Sequence, residues 1–317
     1  MIRESATAEA PPRIAPRAQR VPPRPTMRTS AVAWRMVARL VRRKPLGAVS
    51  AVIVCGLVAV AVLAPVLAPR DPYAFNLDDR GLPIRMQAPS ATFLLGTDPL
   101  GRDVLSRIVY GARVSLIVGF ASVIIGTLLG TTLGLVSGYW EGRLDHVIQR
   151  GVDTVMAIPG IVVALAVMSV LGQSLTNIIL VIAFVIAPGA SRVVRGSVLA
   201  IKQQTFIDAA HASGASAGRI VLRHVLPNVF APILVIATVW LGNAIVIEAA
   251  LSFLGLGTPP PTPTWGGMLG GEGRRNLETA PYLAVFPGLA ISIVVLAFNM
   301  LGDAVRDVLD PQLRTSR

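Results

Sequence analysis

The sequence predicts an all-α membrane protein with six transmembrane helices, and three observations support this fold class. Hydrophobic residues make up 53% of the 317 residues and charged residues only 15%, a balance too apolar for an ordinary soluble domain. Six apolar segments approach the roughly 20 residues that a helix needs to cross a bilayer. Basic residues lie beside several of these segments, as they do at membrane surfaces.

The chain starts with a stretch rich in proline and arginine. Residues 1–30 contain "PPRIAPRAQRVPPRPTMR" and almost no apolar periodicity, so they cannot bury enough surface to offset the entropy of ordering. We predict a disordered cytoplasmic tail. It does not resemble a signal peptide, because the first apolar stretch starts near Leu46 and is too long for a signal-peptide core.

Residues 31–113 are predicted to hold the first transmembrane helix and an external amphipathic segment. Within it, residues 96–113 carry charged side chains among apolar ones at helical spacing, including Asp98, Arg102 and Arg107. This pattern is typical of a helix that lies in the membrane interface. We expect such a helix to lead into the second span.

Residues 114–311 are predicted to form the main transmembrane domain, and residues 312–317 a short C-terminal tail. The six predicted spans cover residues 46–68, 114–137, 152–171, 174–191, 229–256 and 281–302. Arg143 and Arg150 lie between the second and third spans, and Arg192 and Lys202 follow the fourth. Because short cytoplasmic loops are enriched in such residues, this arrangement places both termini in the cytoplasm.

Glycine and proline mark specific positions inside the spans. Gly126, Gly130 and Gly134 recur every four residues in the second span, which predicts a helix face that another backbone can approach closely. Pro159-Gly160, Pro188-Gly189 and Pro287-Gly288 interrupt three other spans. Such breaks are tolerated in a membrane where neighbouring helices, water or a cavity satisfy the freed backbone groups, so they favour a transport path.

The fifth predicted span contains an acidic residue, Glu248, in "NAIVIEAALSFLG". A charged group at a helix centre costs roughly 2.5 to 3.5 kcal/mol on insertion scales. Two interpretations stay open: a group that lines a pore or handles protons, or a carboxylate near the external end that is hydrogen-bonded or reaches the interface. Asn243 in the same span is a second candidate for a substrate path.

A polar island, residues 208–228, separates the fourth and fifth spans. Residues 214–218 in it fit the G-x-S-x-G pattern of a nucleophilic serine. That motif needs a strand before the serine, but residues 203–213 have apolar residues at helical spacing. The nearby histidines, His211 and His224, belong to the same island and not to a neighbouring membrane helix, so we predict no catalytic residue.

The sequence also lacks the patterns of a metal site, a nucleotide-binding loop and a nucleic-acid interface. The sequence has no HExxH motif, one cysteine and no cluster of metal ligands. Its two lysines, Lys44 and Lys202, do not follow a glycine, so a phosphate-binding loop is absent. The net charge of +12 accompanies only 5% aromatic residues, and the arginines are scattered among apolar segments, which does not indicate a nucleic-acid partner.

The island is predicted to form two short helices joined at residues 213–215. Gly214 suits the left-handed conformation that often ends a helix, and the Ser216 hydroxyl can cap the next helix. Alanines make the element thin, and such an element could enter a groove on a partner. Its apolar face consists of Ile220, Val221, Leu222 and Val225, and its basic face of Arg219 and Arg223. Pro227 is expected to separate the island from the next span.

Particular residues in the island resemble a known signature. Asp208-Ala209-Ala210, Gly214 and Leu226-Pro227 follow the register Glu-Ala-Ala, three residues, Gly, nine residues, Ile-x-Leu-Pro. This is similar to the cytoplasmic motif of permease subunits of binding-protein-dependent ABC importers, with Asp208 in place of Glu and His224 in place of Ile. Four further stretches resemble the dipeptide and oligopeptide (and nickel) branch, in its second permease type: "GTDPLGRDVLSRIVYGARVSL", "EAALSFLGLG", "PPTPTWGGML" and "FNMLGDAVRDVLDP".

The resemblance implies an importer permease with six transmembrane helices, in which the island is the cytoplasmic coupling helix that docks into an ATPase subunit. The residues implied for docking are Asp208, Ala209, Ala210, Ser213, Gly214, Ala215, Ser216 and Arg219. The implied partners are a second homologous permease, two ATPase subunits that bind ATP and Mg, an extracytoplasmic solute-binding protein and membrane lipid. The chain itself would bind no cofactor and catalyse no reaction, and it would lie in the bacterial inner membrane.

Several alternatives remain at this point. Peptides are the substrate that the resemblance favours, and nickel or another small solute is the alternative. The external segment 96–113 has either a structural role or a direct contact with the binding protein. A proton-driven secondary carrier that uses Glu248 is a function of another class, but such carriers typically contain inverted repeats, and the sequence shows none.

Overall fold

The predicted bundle of long apolar helices is confirmed. A computed structural model describes residues 45–309, so the predicted tails at 1–30 and 312–317 lie outside the described residues. Between residues 45 and 309, five helices are long and apolar enough to cross a membrane, and the number of spans is six if a bent pair of helices is counted as one. This same part of the chain contains two isolated β-bridges and no β-sheet.

The first part of the bundle consists of two long helices joined outside the main core. Helix α1 (Pro45–Val62) is followed by a single turn, α2 (Ala64–Leu67), and then by irregular chain as far as residue 103. Helix α3 (Val104–Trp140) contains the second predicted span but begins about ten residues earlier. It begins there because the Asp103 carboxylate accepts a hydrogen bond from the Ser106 N–H at 2.8 Å and caps the helix.

The third predicted span is two helices rather than one. Helix α4 (Gly142–Met156) and helix α5 (Gly160–Leu171) meet at an angle of 88°. Pro159 lies at the break, where its missing N–H ends the hydrogen-bonding pattern. Because α5 has 12 residues, it extends only about 18 Å, well short of the roughly 30 Å hydrocarbon core.

Two predicted interruptions do not break their helices. Helix α6 (Leu175–Lys202) continues through Pro188, and helix α11 (Tyr282–Leu309) continues through Pro287. A membrane helix tolerates proline where neighbouring helices and small adjustments satisfy the freed backbone groups. The fourth span, predicted to end at residue 191, therefore extends to Lys202.

The polar island is helical, as predicted, but it merges with the next span. Helix α7 (Thr205–Ala212) and helix α8 (Ala217–Ile220) are followed by a π-helical turn (Val221–Val225) and by α9 (Leu226–Phe253). The expected separation at Pro227 is wrong. In the wider turn the Leu226 N–H bonds to the Val221 carbonyl, and this spacing accommodates a proline that would clash in a regular α-helix.

A short helical element packs between the last two spans. Helix α10 (Trp265–Met268) continues into a second π-helical turn (Leu269–Gly273). A Cβ atom at Gly266 would lie 2.3 Å from the Ala249 carbonyl oxygen, so α10 approaches α9 backbone to backbone. The Trp265 indole N–H donates to the Ile108 carbonyl at 2.9 Å and ties the element to α3.

Helices α3 and α6 form a close seam. A Cβ atom at Gly126 would lie 2.7 Å from the Ala183 carbonyl oxygen, and one at Gly130 would lie 2.5 Å from the Ala187 carbonyl oxygen. Gly134 meets the next turn of α6 in the same way, at 2.6 Å. The predicted face of small residues is confirmed, and α6 is its partner.

Candidate coupling segment and buried polar sites

The turn of the island holds α7 and α8 at a fixed angle. Gly214 has φ +76°, as predicted for a left-handed helix end. Its N–H bonds to the His211 carbonyl at 2.9 Å, and the Ala215 N–H bonds to the Ala210 carbonyl at 3.1 Å. These two bonds form a Schellman motif, which closes the end of α7. The Ser213 hydroxyl adds a bond to the Ala209 carbonyl at 2.8 Å.

Ser216 occupies the predicted position but not the predicted role. It precedes the first residue of α8 with an extended backbone (φ −67°, ψ 152°), yet its side chain forms no capping hydrogen bond. The predicted bond to the first turn is therefore wrong. Ser216 is exposed, and water satisfies the first N–H groups of an exposed helix end without help from a side chain.

The apolar face of the island turns toward its own chain. Ile207, Ile220 and Val225 are buried and belong to a cluster with Tyr139 of α3 and Val194 of α6. Of the predicted apolar face, Ile220, Val221 and Val225 anchor the island to the bundle and cannot enter a groove on a partner. Leu222 is 67% exposed and remains available to a partner.

The outward side of the island is mostly small and polar. Six of the eight residues implied for docking are exposed: Asp208, Ala209, Ser213, Gly214, Ser216 and Arg219. The other two, Ala210 and Ala215, are partly buried. A partner would therefore meet short side chains, a closed turn and the exposed side chain of Leu222.

Ion pairs fasten α4 to α6 near the same end of the bundle. The Arg195 guanidinium donates to both oxygens of Asp145, at 2.7 and 2.6 Å. The pair formed by Arg192 and Asp153 is exposed and lies at 2.6 Å. Because a bidentate pair fixes both distance and orientation, Asp145 and Arg195 hold the polar helix α4 beside the island's anchor.

Glu248 lies inside the bundle between α9 and α3. Its side chain is fully buried. One carboxyl oxygen accepts from the Ser252 hydroxyl at 2.8 Å and the other from the Ser115 hydroxyl at 3.2 Å. The carboxyl group does not reach the surface of this subunit, so the geometry supports the hydrogen-bonded interpretation. Asn243, by contrast, is exposed on α9.

The segment between α2 and α3 ends in a buried ion cluster. Asp98 is fully buried and pairs with Arg102 at 2.5 Å, while Arg102 also pairs with Glu272 of the second π-helical turn. The Arg107 Nε atom lies 3.6 Å from the same Asp98 carboxylate. Burial, reinforced by the negative charge of Asp98, raises the pKa of Glu272 above its ordinary value, although both arginines oppose this.

This cluster corrects the prediction of an interfacial helix over residues 96–113. Residues 96–103 form turns, and only the part from Val104 is helical. The charged side chains face inward because Asp98 also accepts the Leu100 and Arg102 N–H groups, at 2.8 and 2.9 Å. Glu272 was not predicted, since nothing in the local sequence indicates a partner 170 residues from Arg102.

Taken together, the fold and these sites define a multi-pass membrane transport subunit with a rigid polar turn at one end. Residues 130–315 match the family described as "Binding-protein-dependent transport system inner membrane component", and residues 33–89 match the "N-terminal TM domain of oligopeptide transport permease C". The first match covers more than half of the chain. The chain therefore belongs to this family of ABC importer permeases and is an inner-membrane protein.

Curated relatives cover nearly the whole chain. The dipeptide transport system permease protein DppC of Alkalihalophilus pseudofirmus is 41% identical over 309 residues, 98% of this chain and 99% of the relative. The glutathione transport system permease protein GsiD of Pectobacterium atrosepticum is 42% identical over 282 residues, 89% of this chain and 92% of the relative.

A solved structure shows the same fold. The inward-facing MetNI methionine ABC transporter superposes on this chain with a TM-score of 0.52 at 20% identity, covering 64% of this chain and 96% of the matched chain. At this identity the likeness concerns the fold alone.

Proposed function

We propose that this chain forms half of the translocation path of a peptide importer and that the island couples this path to a separate ATPase subunit. The observation that supports coupling is the Schellman turn at Gly214, which presents small exposed side chains while Ile207 and Ile220 anchor it to the core. The relatives named for dipeptide and glutathione transport support a peptide substrate.

The other subunits of the importer would be separate protein chains. Two ATPase subunits would bind ATP and Mg, because this sequence lacks a phosphate-binding loop. A second permease subunit would complete the path, and an extracytoplasmic binding protein would deliver the substrate. The basic residues around the island support a cytoplasmic location for the island and for both termini.

The island can transmit motion because its buried side chains pack against the main helices of the bundle. Ile207 and Ile220 contact the cluster that contains Tyr139, Val194 and Val225. A displacement of the island therefore moves the adjoining ends of α3, α6 and α9 together. The pair of Asp145 and Arg195 extends this connection to α4.

Replacing Gly214 by valine tests the coupling role. A β-branched residue is strained at φ +76°, so the turn should open and lose its orientation. We expect ATPase co-purification and transport-stimulated ATP hydrolysis to fall at least tenfold, with normal membrane insertion.

Gly218 provides the matched control for that experiment. It lies in the same island, its φ is not positive, and a Cβ atom there would have no neighbour within 4 Å. Gly218→Val should keep most of the ATPase association. Normal coupling in Gly214→Val, measured in the same membranes, would contradict the assignment of this turn.

Two other functions, a small-solute importer and a proton-driven carrier, differ from a peptide importer in the solute transported or in the energy source. A nickel or other small-solute importer would show ATP-dependent uptake of that solute and no competition by peptides. A proton-driven carrier that uses Glu248 would follow a proton gradient without ATPase subunits. Uptake into vesicles with ATP and a proton gradient supplied separately decides among these functions.

Replacing Glu248 by glutamine tests the carrier alternative further. Glutamine keeps the shape of the side chain and can bond to Ser115 and Ser252, whereas leucine would leave two buried hydroxyl groups without a partner, at about 1 to 3 kcal/mol each. We expect Glu248→Gln to retain uptake and Glu248→Leu to lose protein stability. Loss of uptake in a well-folded Glu248→Gln protein would favour a proton-handling carboxylate.

A further inference from the structure

Helices α9 and α11 present one continuous face on the side away from α3. The Glu248 carboxyl of α9 bonds to Ser115 of α3. Phe298 of α11 packs edge-on against Phe120 of α3, with ring centroids 5.9 Å apart. These contacts fix which side of each helix points to α3. On α11, Leu296 lies about 160° around the helix from Phe298 and points away from α3, whereas Asn299 lies about 100° from Phe298, on the flank of the helix.

The residues on this face are exposed and mixed in character. They are Asn243 and Val246 of α9 and Ser292, Leu296 and Asn299 of α11. At 3.6 residues per turn, Asn243 lies nearly opposite Glu248 on α9, and Ser292, Leu296 and Asn299 share one stripe of α11. We call this set the α9–α11 face.

Two side-chain amides stand at the centre of the α9–α11 face. Asn243 lies ten residues from the end of α9 at Phe253, and Asn299 ten residues from the end of α11 at Leu309, about 15 Å in each case. Both therefore lie well inside helices that are long and apolar enough to cross a membrane. A Cβ atom at Gly242 would lie 2.9 Å from the Asn299 amide oxygen, so this glycine makes room for the amide beside Asn243.

Neither amide side chain has a hydrogen-bond partner among residues 45–309. Unpaired amides are costly in lipid, so polar residues at this depth face a bundle interior or a water-filled cavity. Ser292, on the same stripe, satisfies its hydroxyl by donating to the Gly288 carbonyl at 2.9 Å. The two asparagines thus retain free donors and acceptors on a face whose other residues are apolar or, like Ser292, already hydrogen-bonded within the helix.

We propose that Asn243 and Asn299 line the substrate path and hydrogen-bond the backbone amides of the peptide in transit. An asparagine amide offers both an N–H donor and a carbonyl acceptor, which matches a peptide bond irrespective of the peptide's side chains. Val246 and Leu296 provide apolar walls that do not select among those side chains. This inference rests on the proposed function and names its contact residues.

Single-cysteine variants of the complete importer test this proposal. In a Cys55→Ser background, Asn243→Cys and Asn299→Cys are treated in membrane vesicles with a charged thiol reagent that does not enter lipid. We expect both cysteines to react, and a transported dipeptide to slow the reaction at least threefold. The wild-type chain, whose single cysteine Cys55 is exposed on α1, gives the reference for a cysteine outside this face.

Three other results would contradict the proposed contacts or the proposed function. Absence of reaction at both positions would show lipid or a dry interface with the second permease, and would overturn the proposal. Reaction without protection, in an importer that takes up the dipeptide, would overturn it too. Failure of the wild-type importer to take up any peptide would instead overturn the proposed function.

Uptake assays supply a second, independent measurement. Asn243→Leu and Asn299→Leu should lower dipeptide uptake at least tenfold at subsaturating concentrations while ATPase association stays normal, because only the path has changed. Unaltered uptake in both variants would contradict a role for these amides.

Discussion

Gly130→Leu will prevent most of this protein from folding into a stable bundle. A Cβ atom at Gly130 would lie 2.5 Å from the Ala187 carbonyl oxygen, 2.6 Å from the Ala190 Cβ and 2.9 Å from the Ser191 N–H nitrogen. Two of these three atoms are backbone, so no rotamer change can relieve the clash and α3 must move away from α6. We expect a loss at or above the upper end of the about 1 to 3 kcal/mol that overpacking typically costs.

The measurement is thermal unfolding of the protein in detergent, followed by size-exclusion chromatography, together with the yield of folded protein from membranes. Gly56→Leu is the control, since Gly56 lies on α1 and a Cβ atom there would have no neighbour within 4 Å. A melting profile of Gly130→Leu that matches the Gly56→Leu protein would show that the seam does not determine stability.

The glycine seam also shows which parts of the fold could be predicted from sequence. Small residues on one face let membrane helices associate through close backbone contact. The four-residue spacing of Gly126, Gly130 and Gly134 can be read from the sequence and predicts such a face on α3. The identity of the partner helix does not follow from this spacing. Ala183 and Ala187 of α6 provide the matching surface, but a stripe of alanines has many possible partners in an apolar sequence.

The turn at Gly214 was predictable for a similar reason, and its surroundings were not. A glycine after a short helix indicates a left-handed helix end from sequence alone, and its φ of +76° agrees. Whether the Ser216 hydroxyl caps α8 depends on solvent and on side-chain rotation. Which way the Ile220 side chain points depends on the tertiary packing of the Tyr139 cluster.

The buried ion cluster around Asp98 was the least predictable site. Charged residues among apolar ones at helical spacing are typical of an interfacial helix, and residues 96–103 share this pattern while folding into turns. Their charges are buried because a counter-ion, Glu272, arrives from a distant part of the chain. No local signal in the sequence can report such a long-range ion pair.

Asp98→Asn will strongly destabilise the end of the protein that holds the buried ion cluster. The wild-type cluster balances two acidic groups, Asp98 and Glu272, against two basic groups, Arg102 and Arg107. Asparagine keeps the size of the side chain but removes one negative charge, which leaves the buried cluster with a net positive charge. Breaking a buried pair in this way costs about 3 to 5 kcal/mol, and we expect lower thermal stability and faster proteolysis within residues 68–103.

A second substitution separates charge from shape in this cluster. The Arg107 Nε atom has no hydrogen-bond partner among residues 45–309, so its main interaction with Asp98 is electrostatic, across 3.6 Å. The double variant Asp98→Asn/Arg107→Gln restores neutrality and should recover part of the lost stability, because the two changes are coupled. Asp79→Asn, in the exposed part of the same segment, should melt like the wild type. Strictly additive losses in the double variant would mean that the cluster holds its shape through hydrogen bonds alone.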